Sequence, residues 1–255
     1  MDKTKNRIHL LDELRGFAII AMIIHHTFYD IGFLFNSSWA TKLFNYLCII
    51  QPIFLMIFIV ISGICTQLSR SSIKRGIIVF CCGIAITLVT CIIMPLMGLI
   101  GADIIFGILS FIGTSMIIVG LLKKPIEKTN AKVGVIISLL LYIITFSVEK
   151  HSLLFGLIKL PDSLYKTDIL FPLGFYSAKF FSADYFPLLP WFFVFLFGVF
   201  IGKYAKQNKF PQFTYNKHSK FLSFVGRNSL WFYLAHQPII YAICFITKFI
   251  ISKIQ

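Results

Sequence analysis

Long apolar runs broken by short basic clusters set the pattern of this chain. An α-helix crosses the hydrocarbon of a bilayer in about 20 apolar residues, and the runs are of that length. They predict spans at 10–35, 43–68, 76–97, 104–122, 133–148, 186–204 and 226–251. The stretch 76–122 holds one charged residue, Asp103, and is too long for a single crossing. Pro95, Gly98 and Gly101 supply the break that makes it two spans, with a re-entrant segment at 98–112 as the alternative. Pro52 lies inside the second span, where Ser62 and Gly63 permit close helix approach. The hydrophilic connection 149–184 is rich in aromatics, among them Tyr165, Phe171, Tyr176 and Tyr185. An exposed linker would not be so aromatic, so it should lie on the membrane surface or fold back over a cavity. The expected fold is an all-α polytopic transmembrane bundle of about seven spans, one integral-membrane domain over residues 1–255.

Composition agrees with that pattern. Hydrophobic residues make up 58% of the 255 and charged ones 13%. Nothing repeats with the dyad period of an outer-membrane barrel, and no small-residue cleavage site follows the first run, which reads as a retained helix. No inverted repeat of the transporter kind is visible. A net charge of +14 would suggest nucleic acid in a soluble protein. Here most of the 24 Lys and Arg fall in short loops, including 69–75, 123–132 and 206–220, so they report topology instead. The positive-inside rule then places the N-terminus in the cytoplasm and the C-terminus outside. The six cysteines sit inside apolar runs with no metal-knuckle spacing and read as small packing residues.

Candidate chemistry begins in Leu11–Asp30, LDELRGFAIIAMIIHHTFYD. Ionisable groups within a span are functional candidates by default. His26 and Asp30, four apart, share a helical face, so the carboxylate can orient the imidazole or stabilise its cation; His25 should face away. His236 lies inside the last span. Each has a plainer reading: interfacial histidines, an imidazole bonded to a neighbouring helix, and a helix-start ion pair for Asp12 and Arg15. Asn228 and Ser229 read as the start of the last helix, and Trp191 as an interface anchor. No metal site is expected.

Three segments carry a resemblance: 11–30, DYFPLLPWFFVFLFGVFIGK at 184–203, and LSFVGRNSLWFYLAHQPIIYAI at 222–243. With IFLMIFIVISGICTQLSR at 53–70, and in this order, they resemble the bacterial branch of the heparan-α-glucosaminide N-acetyltransferase catalytic-domain family. The resemblance implies a membrane acyltransferase that moves an acetyl group from cytosolic acetyl-CoA to an amine or hydroxyl of an extracytoplasmic sugar or glycan. His26, Asp30 and His236 would carry the chemistry. Arg15, Arg70, Lys74, Arg75 and Arg227 would hold the phosphates of CoA. The setting would be the cytoplasmic membrane of a bacterium, the partners the lipid bilayer and the glycan, with a homo-oligomer as an allowed state and nucleic acid excluded. Two other readings fit spaced His and Asp in spans: a proton- or cation-coupled transporter, and a non-catalytic membrane subunit.

Overall fold

A computed structural model describes residues 7–96 and 101–254, with side chains through residue 250. Met1–Asn6, which include the basic Lys3 and Lys5, and Gly98 of the expected break lie outside the described residues. In chain order the α-helices are α1 (His9–Phe35), α2 (Ser38–Leu68), α3 (Ser72–Leu88), α4 (Met94–Leu96), α5 (Ile108–Leu121), α6 (Lys123–Lys128), α7 (Ala131–Thr145), α8 (Leu188–Lys206), α9 (Lys220–Arg227) and α10 (Ser229–Ile254). A π-helical turn, Val89–Ile93, joins α3 to α4. Among the described residues, six stretches are long and apolar enough to cross a membrane: His9–Phe35, Ser38–Leu68, Ser72–Leu96, Ala131–Lys150, Leu188–Lys206 and Ser229–Ile250. The shorter apolar α5 is a seventh apolar helix. The protein is a multi-pass membrane protein, all-α in class. Its chain divides into two compact units, Met1–Ile61 with Phe210–Gln255, and Ser62–Lys209.

In the first unit α1 is the spine. Gly16 faces the backbone of α9, and a Cβ there would collide with the Leu222 carbonyl. Gly226 faces back, where a Cβ would collide with the Asp12 carbonyl and come within 2.9 Å of the Gly16 nitrogen. Such small-residue contacts let helix backbones approach closely where lipid offers no hydrophobic drive. α10 starts three residues beyond Gly226, beside the N-terminal end of α1, and meets His26 and Asp30 through His236 and Gln237. The two helices therefore run parallel. Between them in the chain lies the shorter apolar α5.

The second unit shows how so short a helix is accommodated. Fourteen residues rise about 21 Å, less than the ~30 Å hydrocarbon core. The expected span at 104–122 becomes helical only at Ile108, because residues before it bond elsewhere. Ile104 N donates to Thr90 Oγ1 in the π-turn at 3.0 Å, Ile105 N to Ser182 Oγ at 2.9 Å, and Ile108 N to Asp184 Oδ2 at 3.2 Å. Non-helical backbone is tolerated at membrane depth when protein satisfies its polar groups in this way. α3 and α5 pack through glycines, with Gly76 against the Gly113 carbonyl and Gly83 against Ser110. α7 packs on α8, where Gly134 leaves room for the Phe200 ring.

Three regions take a more definite form than the apolar pattern alone gives. α2 begins at Ser38 rather than 43, because Asn36 takes a left-handed cap with φ 49° and turns the chain in two residues. The last expected span, 226–251, is two helices. Arg227 ends α9, and Asn228 closes that helix through its side-chain nitrogen on the Phe224 carbonyl at 2.9 Å. Its own carbonyl accepts from Trp231 N and Phe232 N at the opening of α10. The connection 149–184 is folded. Ser152–Leu153 pairs antiparallel with Ile158–Lys159, and 3-10 turns follow. Tyr165 and Tyr185 donate their hydroxyls to the Val148 and Phe171 carbonyls, and Ala183 N donates to the Asp103 carbonyl at 2.8 Å.

Candidate functional site

The acidic opening of α1 is spent on α9. Glu13 is 4% exposed. Its Oε1 accepts from His218 N at 2.8 Å and Ser219 N at 2.9 Å, and its Oε2 lies 3.5 Å from His218 Nδ1. A carboxylate at that place complements the unsatisfied N–H groups where α9 starts. Asp12 accepts from Arg7 Nε at 2.7 Å and forms the expected ion pair with Arg15 at 3.9 Å. Arg15 also donates from Nη1 to the Gly226 carbonyl at 3.4 Å. LDELRG and FVGR are thus two sides of one helix contact.

Farther along α1 the ionisable groups face α10. The rings of His26 and His236 lie 5.3 Å apart between centroids. His236 Nδ1 contacts the Tyr233 carbonyl at 2.5 Å. A carbonyl has no proton to give, so Nδ1 carries the hydrogen and Nε2 of the neutral ring keeps its lone pair. His26 has no hydrogen bond among the described residues and lies 5.4 Å, ring to ring, from His25. His25 belongs to a different contact, as its place on the helix implies. It is buried beside Phe44 of α2 at 4.8 Å, with Nε2 3.6 Å from Cys48 Sγ.

Asp30, 4% exposed, is held from α10 rather than bonded to His26. Gln237 Nε2 reaches Asp30 Oδ1 at 3.2 Å and Oδ2 at 3.0 Å. Gln237 Oε1 is buried without a partner among the described residues. The sequence reading missed Gln237; its signal was an amide inside an apolar span, next to His236. Asp30 stands one turn of α1 beyond His26, about 6 Å of rise.

The basic candidates divide between the units. Arg227 in the first is exposed, and its Nε donates to the Ser223 carbonyl at 3.3 Å. Arg70, Lys74 and Arg75 in the second are exposed and form no ion pair among the described residues. Lys203, by contrast, caps α6 through the carbonyls of Ile126, Glu127 and Thr129. Among the described residues, no three His, Cys, Asp or Glu are arranged to hold a metal ion.

Two imidazoles facing across a helix pair, one with Nδ1 turned to a backbone carbonyl, can in their neutral form take a proton from an attacking amine or hydroxyl. A nearby carboxylate then stabilises the cation that forms. Comparison with curated proteins and with solved structures gives no match. Comparison with protein families does, through a model described as heparan-alpha-glucosaminide N-acetyltransferase, catalytic, over residues 7–238. That match runs from the Arg7–Asp12 pair past Gln237 and covers most of the chain. Its description sets the class as a membrane acetyltransferase. By that match the chain belongs to the heparan-alpha-glucosaminide N-acetyltransferase catalytic family.

Proposed function

We propose that the protein transfers an acetyl group from acetyl-CoA to an amine or hydroxyl of an extracytoplasmic sugar or glycan, in the cytoplasmic membrane of a bacterium. The observation that carries this reading is the His26–His236 pair, with Asp30 held beside it. The acceptor's N–H or O–H faces Nε2 of His236. As the acceptor atom bonds to the acetyl carbon, the imidazole takes its proton, and the thiolate leaving group receives that proton when it departs. Acetyl-CoA supplies the activated carbonyl and the thiol leaving group. His26 shares the positive charge, and Asp30 stabilises it.

The donor's phosphates call for cations open to solvent. Arg15 is already engaged with Asp12 and the Gly226 carbonyl. Arg227, and separately Arg70, Lys74 and Arg75, offer charge that no ion pair among the described residues consumes. About 16 Å of helix rise separates Arg15 from His26, which suits an extended donor.

The test uses purified full-length protein in liposomes with radiolabelled acetyl-CoA and a panel of amino sugars and neutral glycans. Label appearing in a sugar, lost in His236→Ala, supports the reading. Absence of transfer to every acceptor, with proton flux through the same liposomes, would replace it with the transporter reading.

A further inference from the structure

Gln237 makes an arrangement that a simple helix tie does not need. Its single amide nitrogen serves both oxygens of Asp30, at 3.2 and 3.0 Å, while Oε1 is left buried and unpartnered among the described residues. Turned over, the amide would set Oε1 against the carboxylate oxygens, an arrangement that an ionised Asp30 disfavours. Leaving a buried acceptor unpaired is costly, and such groups in a folded protein call for an explanation. Gln237 also follows His236 directly, so one turn of α10 places both an imidazole of the pair and the clamp on its neighbouring carboxylate.

We propose that Gln237 is a positioning residue that holds Asp30 in α1 so that its negative charge faces the His26–His236 pair without being cancelled. A neutral amide suits that task. It restrains the carboxylate by hydrogen bonds and leaves its charge in place, whereas a cation would restrain it equally and neutralise it. This rests on the acyl-transfer reading for its kinetic consequence but not for its structural one.

Two variants separate the roles. Gln237→Met removes the donor and keeps the length. Gln237→Lys keeps a tie between the helices but sets a positive charge on Asp30. Both should lower kcat about 10- to 100-fold, the worth of a hydrogen bond to a charged group, with KM for acetyl-CoA unchanged. A purely structural tie predicts instead that Gln237→Lys keeps full turnover. The second readout needs no activity: nitrogen NMR of 15N-histidine-labelled full chain in detergent micelles. Gln237→Met and Asp30→Asn should displace the same two imidazole signals, those of His26 and His236, and leave His25 unmoved. Unmoved His26 and His236 signals in Gln237→Met would overturn the proposal. A wild type inactive on every acceptor would sink the acyl-transfer reading, while the imidazole spectra would still decide the role of Gln237.

Discussion

At its N-terminal end α1 carries Asp12, Glu13 and Arg15; in its second half it carries His25, His26 and Asp30. The first set is saturated. Glu13 holds two backbone N–H groups, Asp12 holds two arginines, and Arg15 reaches the Gly226 carbonyl. The second set is not. His26 has no hydrogen bond among the described residues, His236 opposite it keeps a lone pair on Nε2, and Asp30 is steadied by an uncharged amide. Buried polar groups stabilise a fold when every partner is supplied, and perform chemistry when one is withheld. The ends of one helix thus differ in how far their polar groups are supplied with partners.

The largest effect is expected at the N-terminal end of α1. Gly226→Leu would drive a side chain into the Asp12 carbonyl, where no rotamer avoids the backbone of α1. Overpacking typically costs 1–3 kcal/mol, and a clash with main chain should exceed that range. We expect loss of monodisperse protein in detergent, read by size-exclusion chromatography; a well-folded Gly226→Leu would refute the close contact. Glu13→Gln should be milder. The amide oxygen can still accept one N–H, but the charge is lost, so stability falls by about 1–3 kcal/mol while turnover per folded molecule is unchanged. Chemical denaturation alongside kinetics measures both.

At the second end the order reverses. Asp30→Asn keeps shape but removes the charge that Gln237 holds, so turnover should fall about 10- to 100-fold with little change in unfolding, the equivalent of roughly 1.4–2.7 kcal/mol. A variant that unfolds as readily as Glu13→Gln would place Asp30 with the structural set.

The smallest effect comes from a carboxylate–phenol pair far along the sequence, which serves as a control. Tyr176 donates to Glu149 at 3.2 Å. Burial first, and then the charge of Glu149, push the Tyr176 phenol up to about 12. The unfolded phenol ionises near 10, so between those values the folded state keeps a proton that the unfolded state releases. Stability from this group is whole below about pH 10 and is lost as pH rises through about 12. Ultraviolet titration should show a late phenol that Tyr176→Phe removes, with acetyl transfer near neutral pH unaffected.

Much of this was legible in the sequence. The apolar runs gave the class and the approximate spans, because bilayer thickness sets helix length regardless of partners. His26, Asp30 and His236 stood out as ionisable groups inside spans. Their grouping across α1 and α10 follows from how a helical bundle builds a site on facing helices, not from spacing along the chain. Spacing alone hid Gln237. It also made Asp30 look like a partner for His26 when an amide from α10 holds it. Arg227 looked like the start of a span because short amphipathic α9 continues directly into α10, with only Asn228 between them. The late start of α5 was unreadable for a related reason. Its preceding backbone is satisfied by Thr90, Ser182 and Asp184, two of them more than seventy residues away.

The central claim is that the imidazole pair is the proton acceptor. Its most direct test is the turnover of His236→Ala, measured with a competent sugar acceptor at saturating acetyl-CoA, beside the unfolding temperature of the same preparation. Loss of a positioned general base typically costs about 10²- to 10⁴-fold in rate. The account predicts a fall of that size at an unchanged unfolding temperature. Full turnover in His236→Ala would contradict it.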